Sequence, residues 1–430
     1  MFWIKNIETM TPSELKKLQL AKLKKTVELV GKRVQFYKDK LKAHGVKLSD
    51  IRSAADVKRL PFTYIDDLRQ NYPFGLLAAG TSQISRLHTS SGTTGKPKAI
   101  FFTRNDVDNA AELIARCLTM TGVTKHDVFQ NMMSYGLFTG GLVMHYGAEK
   151  VGALVIPSAI GNTERQIMLM RDFGTTSIHI TPSYALYLAD VFDKKGLDPK
   201  TSLSLKRAYM GAEPHSEETR HKIEHAFGIE VYNSYGLSEM NGPGVAFECM
   251  EKNGMHLWED NFILEIIDPK TGESLPDGVE GELVLTTLQR EGMPILRYRT
   301  RDLTRVIPGK CKCGRTHRRI ARINGRVDDM FIIRGVNIFP QQIERVLMSI
   351  KGLGRNYVIE LAAYDKFNVK VELSKGMVIN SVEKLSALRK EIEVRLKTEI
   401  LVTPKVELVE PGTLPVSEGK AVRVIDNRKI

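Results

Sequence analysis

The stretch Ser90-Ser91-Gly92-Thr93-Thr94-Gly95-Lys96-Pro97-Lys98 decides how the rest of this sequence is read. Gly92 and Gly95 let the backbone come close to an anion and turn its N–H groups inward. Ser90, Ser91, Thr93 and Thr94 add hydroxyl donors, and Lys96 and Lys98 bring positive charge. Pro97 removes a backbone donor and disfavours helix in the residue before it, so a loop is expected. This is the chemistry of a phosphate cradle, with an ordinary turn as the competing reading. A Walker loop is excluded, because it needs four residues between its glycines and a hydroxyl after the lysine. Here two residues separate Gly92 from Gly95, and Pro97 follows Lys96.

The chain has 430 residues, 42% hydrophobic and 26% charged, enough for a large core and more than one domain. A net charge of +13 suits a protein that handles polyphosphates. Nucleic acid ranks second, since no Lys/Arg run is interleaved with aromatics and no familiar nucleic-acid module is present. The start, Met1-Phe2-Trp3-Ile4-Lys5-Asn6, lacks the apolar core of a signal peptide, and no apolar run is long enough to span a bilayer. Four cysteines are too few to staple a chain of this length. A cytoplasmic enzyme with no membrane partner is expected.

Thr11, Pro12 and Glu14 carry the signature of a capped helix start. Leu20, Leu23, Val27, Val30, Val34, Tyr37 and Leu41 continue as one apolar stripe to Gly45, for core packing or, alternatively, a homodimer contact. Beyond the phosphate stretch, helices are expected over 107–120, 162–173, 182–193 and 216–227. Strands are expected over 128–135, 154–157, 177–181, 207–213 and 229–235. Such alternation argues for parallel pairing, with a ligand beyond the carboxyl ends of the strands. Short strands with Gly and Pro turns over 262–306 predict a mainly antiparallel β subdomain, about 245–320. Past Gly325 the order is strand, helix, strand, strand, helix, strand, with the helices over 340–348 and 381–398. The expected class is α/β: a large N-terminal domain, 1–327, of parallel sheets flanked by helices plus the β subdomain, then a small mobile α+β C-terminal domain, 328–430.

Gly211-Ala212-Glu213-Pro214 and Tyr235-Gly236-Leu237-Ser238-Glu239 both fall at strand ends. Glu239 there is placed to hold Mg²⁺ beside a triphosphate, although an ordinary surface loop reads the same. Asp302 could accept from both ribose hydroxyls or pair with Arg299 or Arg301. Cys249, His256, Cys311 and Cys313 offer three thiolates and an imidazole, a closed tetrahedral set for structural Zn²⁺. The Cys-x-Cys spacing is tight, and His317 is a rival ligand. Cys117 is expected in the core.

In this order the pieces resemble the adenylate-forming superfamily along nearly the whole chain, and within it the phenylacetate–CoA ligase family. The resemblance extends to Tyr135-Gly136-Leu137-Phe138-Thr139-Gly140-Gly141, Asp302, Gly325-Arg326-Val327-Asp328-Asp329 and Ser417-Glu418-Gly419-Lys420. It implies an ATP-dependent acid–CoA ligase. A carboxylic acid attacks the α-phosphorus of MgATP, and CoA then displaces AMP. It further implies that 90–98 holds the β- and γ-phosphates, Glu239 ligates Mg²⁺, and Gly211, Ala212, Glu213 and Pro214 lie along the adenine. Asn233, Ser234, Tyr235, Gly236 and Ser238 complete the ATP/AMP site, with Asp302 on the ribose and Arg326 on the nucleotide. Tyr135, Gly136, Phe138, Thr139 and Gly140 belong to the acid pocket. Lys420 bridges the acyl carboxylate and α-phosphate, Asp328 is the hinge, and Arg334 and Gly335 face CoA.

Met133, Val143-Met144 and His215 depart from the family pattern near the acid pocket and leave the acid itself open. One alternative is an adenylate-forming enzyme that delivers its acyl group to a carrier-protein thiol or an amine. The other is a non-catalytic acyl-nucleotide sensor, against which the intact Glu239, Asp302 and Lys420 argue.

Overall fold

Thr11 caps the helix Pro12–Arg33: its side chain accepts the Glu14 N–H, and the Glu14 carboxylate accepts the Thr11 N–H. The stripe that follows is not one helix. Val34 is extended (φ −112°, ψ 108°), and a second helix, Gln35–Ala43, begins after it. Leu23, Val27, Val30, Val34, Tyr37 and Leu41 all enter the main hydrophobic core, so the stripe is packing surface on both sides of the break. The computed structural model describes residues 1–89, 97–363, 366–375, 382–415 and 422–428; the stretch 90–96 and Lys420 lie outside them.

The central sheet has nine strands. Leu154–Ile156, Val128–Asn131, Ser177–Ile180, Arg207–Met210 and Glu230–Leu237 lie parallel in that order across it. Gly242–Glu248, Met255–Leu257, Arg319–Ile320 and Val306–Ile307 extend the same sheet antiparallel. Two expected strands end early. The ladder stops at Asn131, whose side chain instead binds the Gly141 carbonyl, and at Met210, before a turn containing Ala212 at φ +66°. The helix Thr139–Val151 was not expected, because Gly140, Gly141 and Gly147 lower helix propensity. Two of them permit close packing: a Cβ would lie 2.3 Å from the Ser134 oxygen at Gly141 and 2.1 Å from Ile114 at Gly147.

The expected β subdomain divides between sheets. Phe262–Ile267, Gly281–Thr287, Tyr298–Thr304 and Gly325–Arg326 form a separate antiparallel sheet of four strands. The C-terminal residues have their own core around Ile343, Leu347, Tyr357, Val369 and Ile392. There Lys405–Val409, Lys366–Leu373, Leu353–Ala363 and Val424–Asp426 form a sheet in that order, packed by the helices Pro340–Ser349 and Val382–Ile400. The single strand expected before Pro340 is a hairpin, Phe331–Ile333 with Val336–Ile338. Arg334 (φ +53°) and Gly335 (φ +78°) supply the two left-handed positions that its tight turn requires. Val424–Asp426 is a further strand beyond those expected. Among the described residues, no helix is long and apolar enough to cross a membrane.

Glu344 joins the two parts. Its buried carboxylate accepts the Ser216 N–H (3.1 Å) and the Thr219 hydroxyl (2.6 Å) at the start of the helix Glu217–Phe227. The Tyr357 hydroxyl of its own core reaches it at 2.9 Å. An anion at a helix N-terminus meets free N–H groups and the positive end of the dipole. Glu344→Ala is therefore expected to raise hydrogen exchange at the Ser216 amide by about tenfold or more, the scale of a charge-assisted hydrogen bond. Exchange in the central strands should stay as in the wild type. An unchanged Ser216 amide would contradict this reading of the contact.

Candidate active site

The strand Glu230–Leu237 ends in a single 3₁₀ turn, Ser238–Met240, closed by Asn241 at φ +79°. Gly236 is required there, since a Cβ would fall 1.7 Å from the Gly242 oxygen. The turn buries Glu239, which pairs with Lys98, the last residue of the phosphate stretch, and accepts the Tyr298 hydroxyl at 2.8 Å. Burial opposes ionisation of Glu239, but the charge and hydrogen bond of Lys98, with help from Tyr298, hold the carboxyl below its usual range.

Tyr298 and Asp302 lie four positions apart on one strand, both buried, on either side of an irregularity in its pairing where Arg301 has φ +65°. Asp302 accepts the Tyr235 hydroxyl at 2.6 Å. The two strands thus exchange tyrosine–carboxylate bonds in both directions, Tyr298 to Glu239 and Tyr235 to Asp302. Burial and the adjacent carboxylates push both phenols well above their usual range, which keeps them protonated as donors. Asp302 is pushed up by burial, against the opposing pull of Arg326 and Tyr235. Sheet register sets that pair: Asp302 stands directly opposite Arg326, and their side chains meet at 2.9 Å. Arg299 and Arg301 go elsewhere, to Glu282 and Asp328. Arg326 also binds Asp328 at 2.9 Å.

A cavity of about 210 Å³ opens between these strand ends. Ala212, Glu213, Pro214, Asn233, Ser234, Tyr235, Gly236, Asp302 and Arg326 line it, whereas Gly211, Ser238 and Glu239 do not. Gly211 acts by closeness, because a Cβ there would sit 2.4 Å from Ser234 Oγ. The Glu213 carboxylate accepts the N–H and hydroxyl of Ser183. His215 also lines the cavity; burial, then the nearby Arg322 charge, holds its imidazole far below the usual range and neutral.

In the expected acid stretch, the Tyr135 hydroxyl sits between Asn131 Nδ2 (2.9 Å) and His145 Nδ1 (3.1 Å). The chain of contacts continues from Asn131 to His179 and from His145 to Glu149. Burial pushes Tyr135 up to about 12 and His179 down to about 3, so both are neutral at ordinary pH. Among the described residues, the buried Thr139 hydroxyl meets no hydrogen-bond partner, and nothing lies within 4 Å of where a Cβ would be at Gly136 and Gly140. Phe138 is 47% exposed. Asn131, His145 and His179 were missed from sequence because none belongs to the glycine-rich motif. The i, i+4 pair His145–Glu149 would have shown only once its helix was recognised.

The four candidate zinc ligands converge. Cys249 and Cys311 sulfurs lie 3.7 Å apart, Cys313 Sγ lies 3.3 Å from His256 Nε2, and all four ligand atoms fall within 4.8 Å of one another. His256 Nδ1 binds the His317 carbonyl at 3.0 Å, which turns Nε2 toward the thiols. His317 is spent otherwise: its Nδ1 accepts the Glu259 N–H, and its Nε2 binds the Ile7 carbonyl. Cys117 is in the core, accepting the Trp258 indole N–H.

Residues 25–289 match the AMP-binding enzyme family, and residues 335–428 match the AMP-binding enzyme C-terminal domain. The fold is thus that of an AMP-binding, adenylate-forming enzyme. Among curated proteins, the chain is 45% identical over 446 residues to a phenylacetate–coenzyme A ligase of Thermus thermophilus, covering 100% of each. It is 44% identical over 428 residues to one of Escherichia coli, covering 99% of this chain and 97% of that one. The chain belongs to the phenylacetate–coenzyme A ligase family. A 2-hydroxyisobutyryl-CoA ligase in the postadenylation state aligns with a TM-score of 0.94 at 30% identity, over 99% of this chain and 92% of that one. The same ligase in its thioesterification state, with CoA, aligns at 0.74 and 31% identity, over 100% and 93%.

Lys98→Met tests the electrostatics of Glu239. The folded carboxyl ionises below its reference value of 4.5, so its pairing contributes stability that is full above that pH and lost as pH falls through the folded value. Without Lys98, burial dominates and penalises the anion. The variant should melt below wild type near neutral pH, with the gap narrowing as pH falls, from above the reference value of 4.5, where the variant's Glu239 protonates, to below it, where the wild type's does. A gap independent of pH would contradict the pairing.

Proposed function

We propose that this chain is an AMP-forming acid–CoA ligase that activates a phenylacetate-like aromatic acid through its acyl-adenylate. The observation that carries the proposal is the pair of ionisable carboxylates fixed by reciprocal tyrosines, Glu239 just past the end of a strand of the central sheet and Asp302 within a strand of the separate antiparallel sheet. Full-length similarity to phenylacetate–coenzyme A ligases supports the acid class. Likeness to a ligase solved with acyl-AMP and CoA supports the two-step course.

On this reading ATP lies with its adenine along 211–214, its ribose on Asp302, and its β- and γ-phosphates toward 90–98. Glu239 suits a hard cation, being a buried carboxylate held ionised at a strand end. Mg²⁺ there would neutralise charge on the phosphates. Little covalent work then falls to the protein, so positioning and charge neutralisation dominate. The acid enters beside Tyr135, whose hydroxyl is oriented from both sides. Lys420 holds the acyl carboxylate and α-phosphate together in the first step. The small domain, from Asp328 onward, then turns about that residue, withdraws Lys420 and brings the Arg334–Gly335 turn to the CoA side.

Purified enzyme given ATP, CoA and a panel of aromatic and aliphatic acids should release AMP with aryl-acetates and form the matching thioester. AMP release that needs a carrier protein or amine instead of CoA would favour the alternative acceptor, and no turnover with any acid would favour a sensor. Lys420→Ala should lose acid-dependent ATP–pyrophosphate exchange by about 10²–10³-fold, as for an oxyanion donor, and still convert supplied acyl-adenylate to thioester. Equal loss of both half-reactions would contradict that division.

The Cys249, His256, Cys311 and Cys313 cluster fits structural zinc, because its donors are soft, closed and convergent. The tautomer of His256 is already set by the His317 carbonyl. Protein purified without added metal should carry one zinc per chain, lost in Cys311→Ser together with thermal stability. Metal-free wild type with full stability would contradict the site.

A further inference from the structure

Arg290 is buried, 3% exposed, in the loop that follows the strand Gly281–Thr287. No carboxylate touches its guanidinium among the described contacts. NH1 donates to the Asn241 side-chain oxygen, NH2 donates to the Phe101 carbonyl at 2.8 Å, and Nε has no partner among the described residues. The plane rests 4.0 Å over the Phe102 ring. A buried cation left this way is costly to desolvate, and a neutral side chain would fill the space at less cost. The charges facing it are Asp106, at the start of the helix Arg104–Met120, and Glu239.

Both of its bonds end on candidate catalytic machinery. Asn241 closes the turn that carries Glu239. Phe101 lies on the strand Ala99–Thr103, which leaves the phosphate stretch directly after Lys98. The neighbouring residues pin the loop: the Glu291 and Gly292 N–H groups donate to Asp106 at 2.8 and 2.9 Å, and a Cβ at Gly292 would meet the Phe101 oxygen at 2.9 Å.

We infer that Arg290 is a positioning residue for the polyphosphate end of the nucleotide, tying the Glu239 turn to the exit of the phosphate stretch. It touches no substrate. It fixes the Glu239–Lys98 geometry and places a permanent positive charge beneath the incoming phosphates. The inference rests on the nucleotide reading of the site proposed above.

The test is calorimetric binding of MgATP and of AMP, without acid, to wild type, Arg290→Met, Arg290→Lys and Glu239→Gln. Arg290→Met should weaken MgATP about tenfold, the scale of one charge-assisted hydrogen bond, and leave AMP within about twofold. Arg290→Lys should recover part of the loss. Equal weakening of MgATP and AMP, or none of either, would overturn the inference while a Glu239→Gln effect on MgATP left the site reading intact. If Glu239→Gln also leaves MgATP unchanged, the site reading falls and takes the inference with it. Should Arg290→Met not fold, Asn241→Ala cuts one of the two ties alone and should show the same selective loss on a smaller scale.

Discussion

Two carboxylates must stay ionised, or ready to ionise, in places that water scarcely reaches, and the arrangement of the site follows from that constraint. Burying an unpaired carboxylate costs several kcal/mol, so each needs donors that cannot drift away. Tyr298 donates to Glu239 and Tyr235 to Asp302, and each tyrosine sits on the strand that carries, or leads into, the other's carboxylate. Displacing either strand would break a bond at both acids. Lys98 and Arg326 then supply charge, one from the phosphate-stretch side and one from across the sheet. The antiparallel extension of the central sheet and the separate four-stranded sheet are what bring these strands together.

The same network reaches toward the small domain. Asp302 binds Arg326, Arg326 binds Asp328, and Asp328 also meets Arg301. The group proposed to hold ribose is therefore two ion pairs away from the proposed hinge. Glu344 holds the helix Glu217–Phe227 from the other side. The better alignment with the postadenylation state than with the thioesterification state, 0.94 against 0.74, fits these contacts being made in one domain arrangement. Both are polar and local, the kind of contact that a rotating domain can exchange without exposing a core.

What could be read from sequence follows the range of the forces involved. The alternation of strands and helices is local periodicity, and it located most of the parallel sheet. Capping at Thr11 and Ser216 is local chemistry, and both caps are present. The Cys249, His256, Cys311 and Cys313 quartet was visible because few residue types can serve as metal ligands. The break at Val34 was hidden, because the apolar stripe keeps its phase through an extended residue. The helix Thr139–Val151 was hidden by glycines whose purpose is close packing against Ser134 and Ile114. Tyr298 and Arg290 could not be found at all: their partners lie 59 and 49 residues away, and no spacing rule encodes such a contact.

The central claim is that the acid's carboxylate oxygen attacks the α-phosphorus of ATP. Phenylacetate labelled with ¹⁸O in both carboxyl oxygens, turned over with ATP and CoA, tests it in one mass spectrum. One labelled oxygen is predicted in the AMP released, with pyrophosphate unlabelled. Label in pyrophosphate or in inorganic phosphate, or its retention by the thioester with none in AMP, would contradict the account.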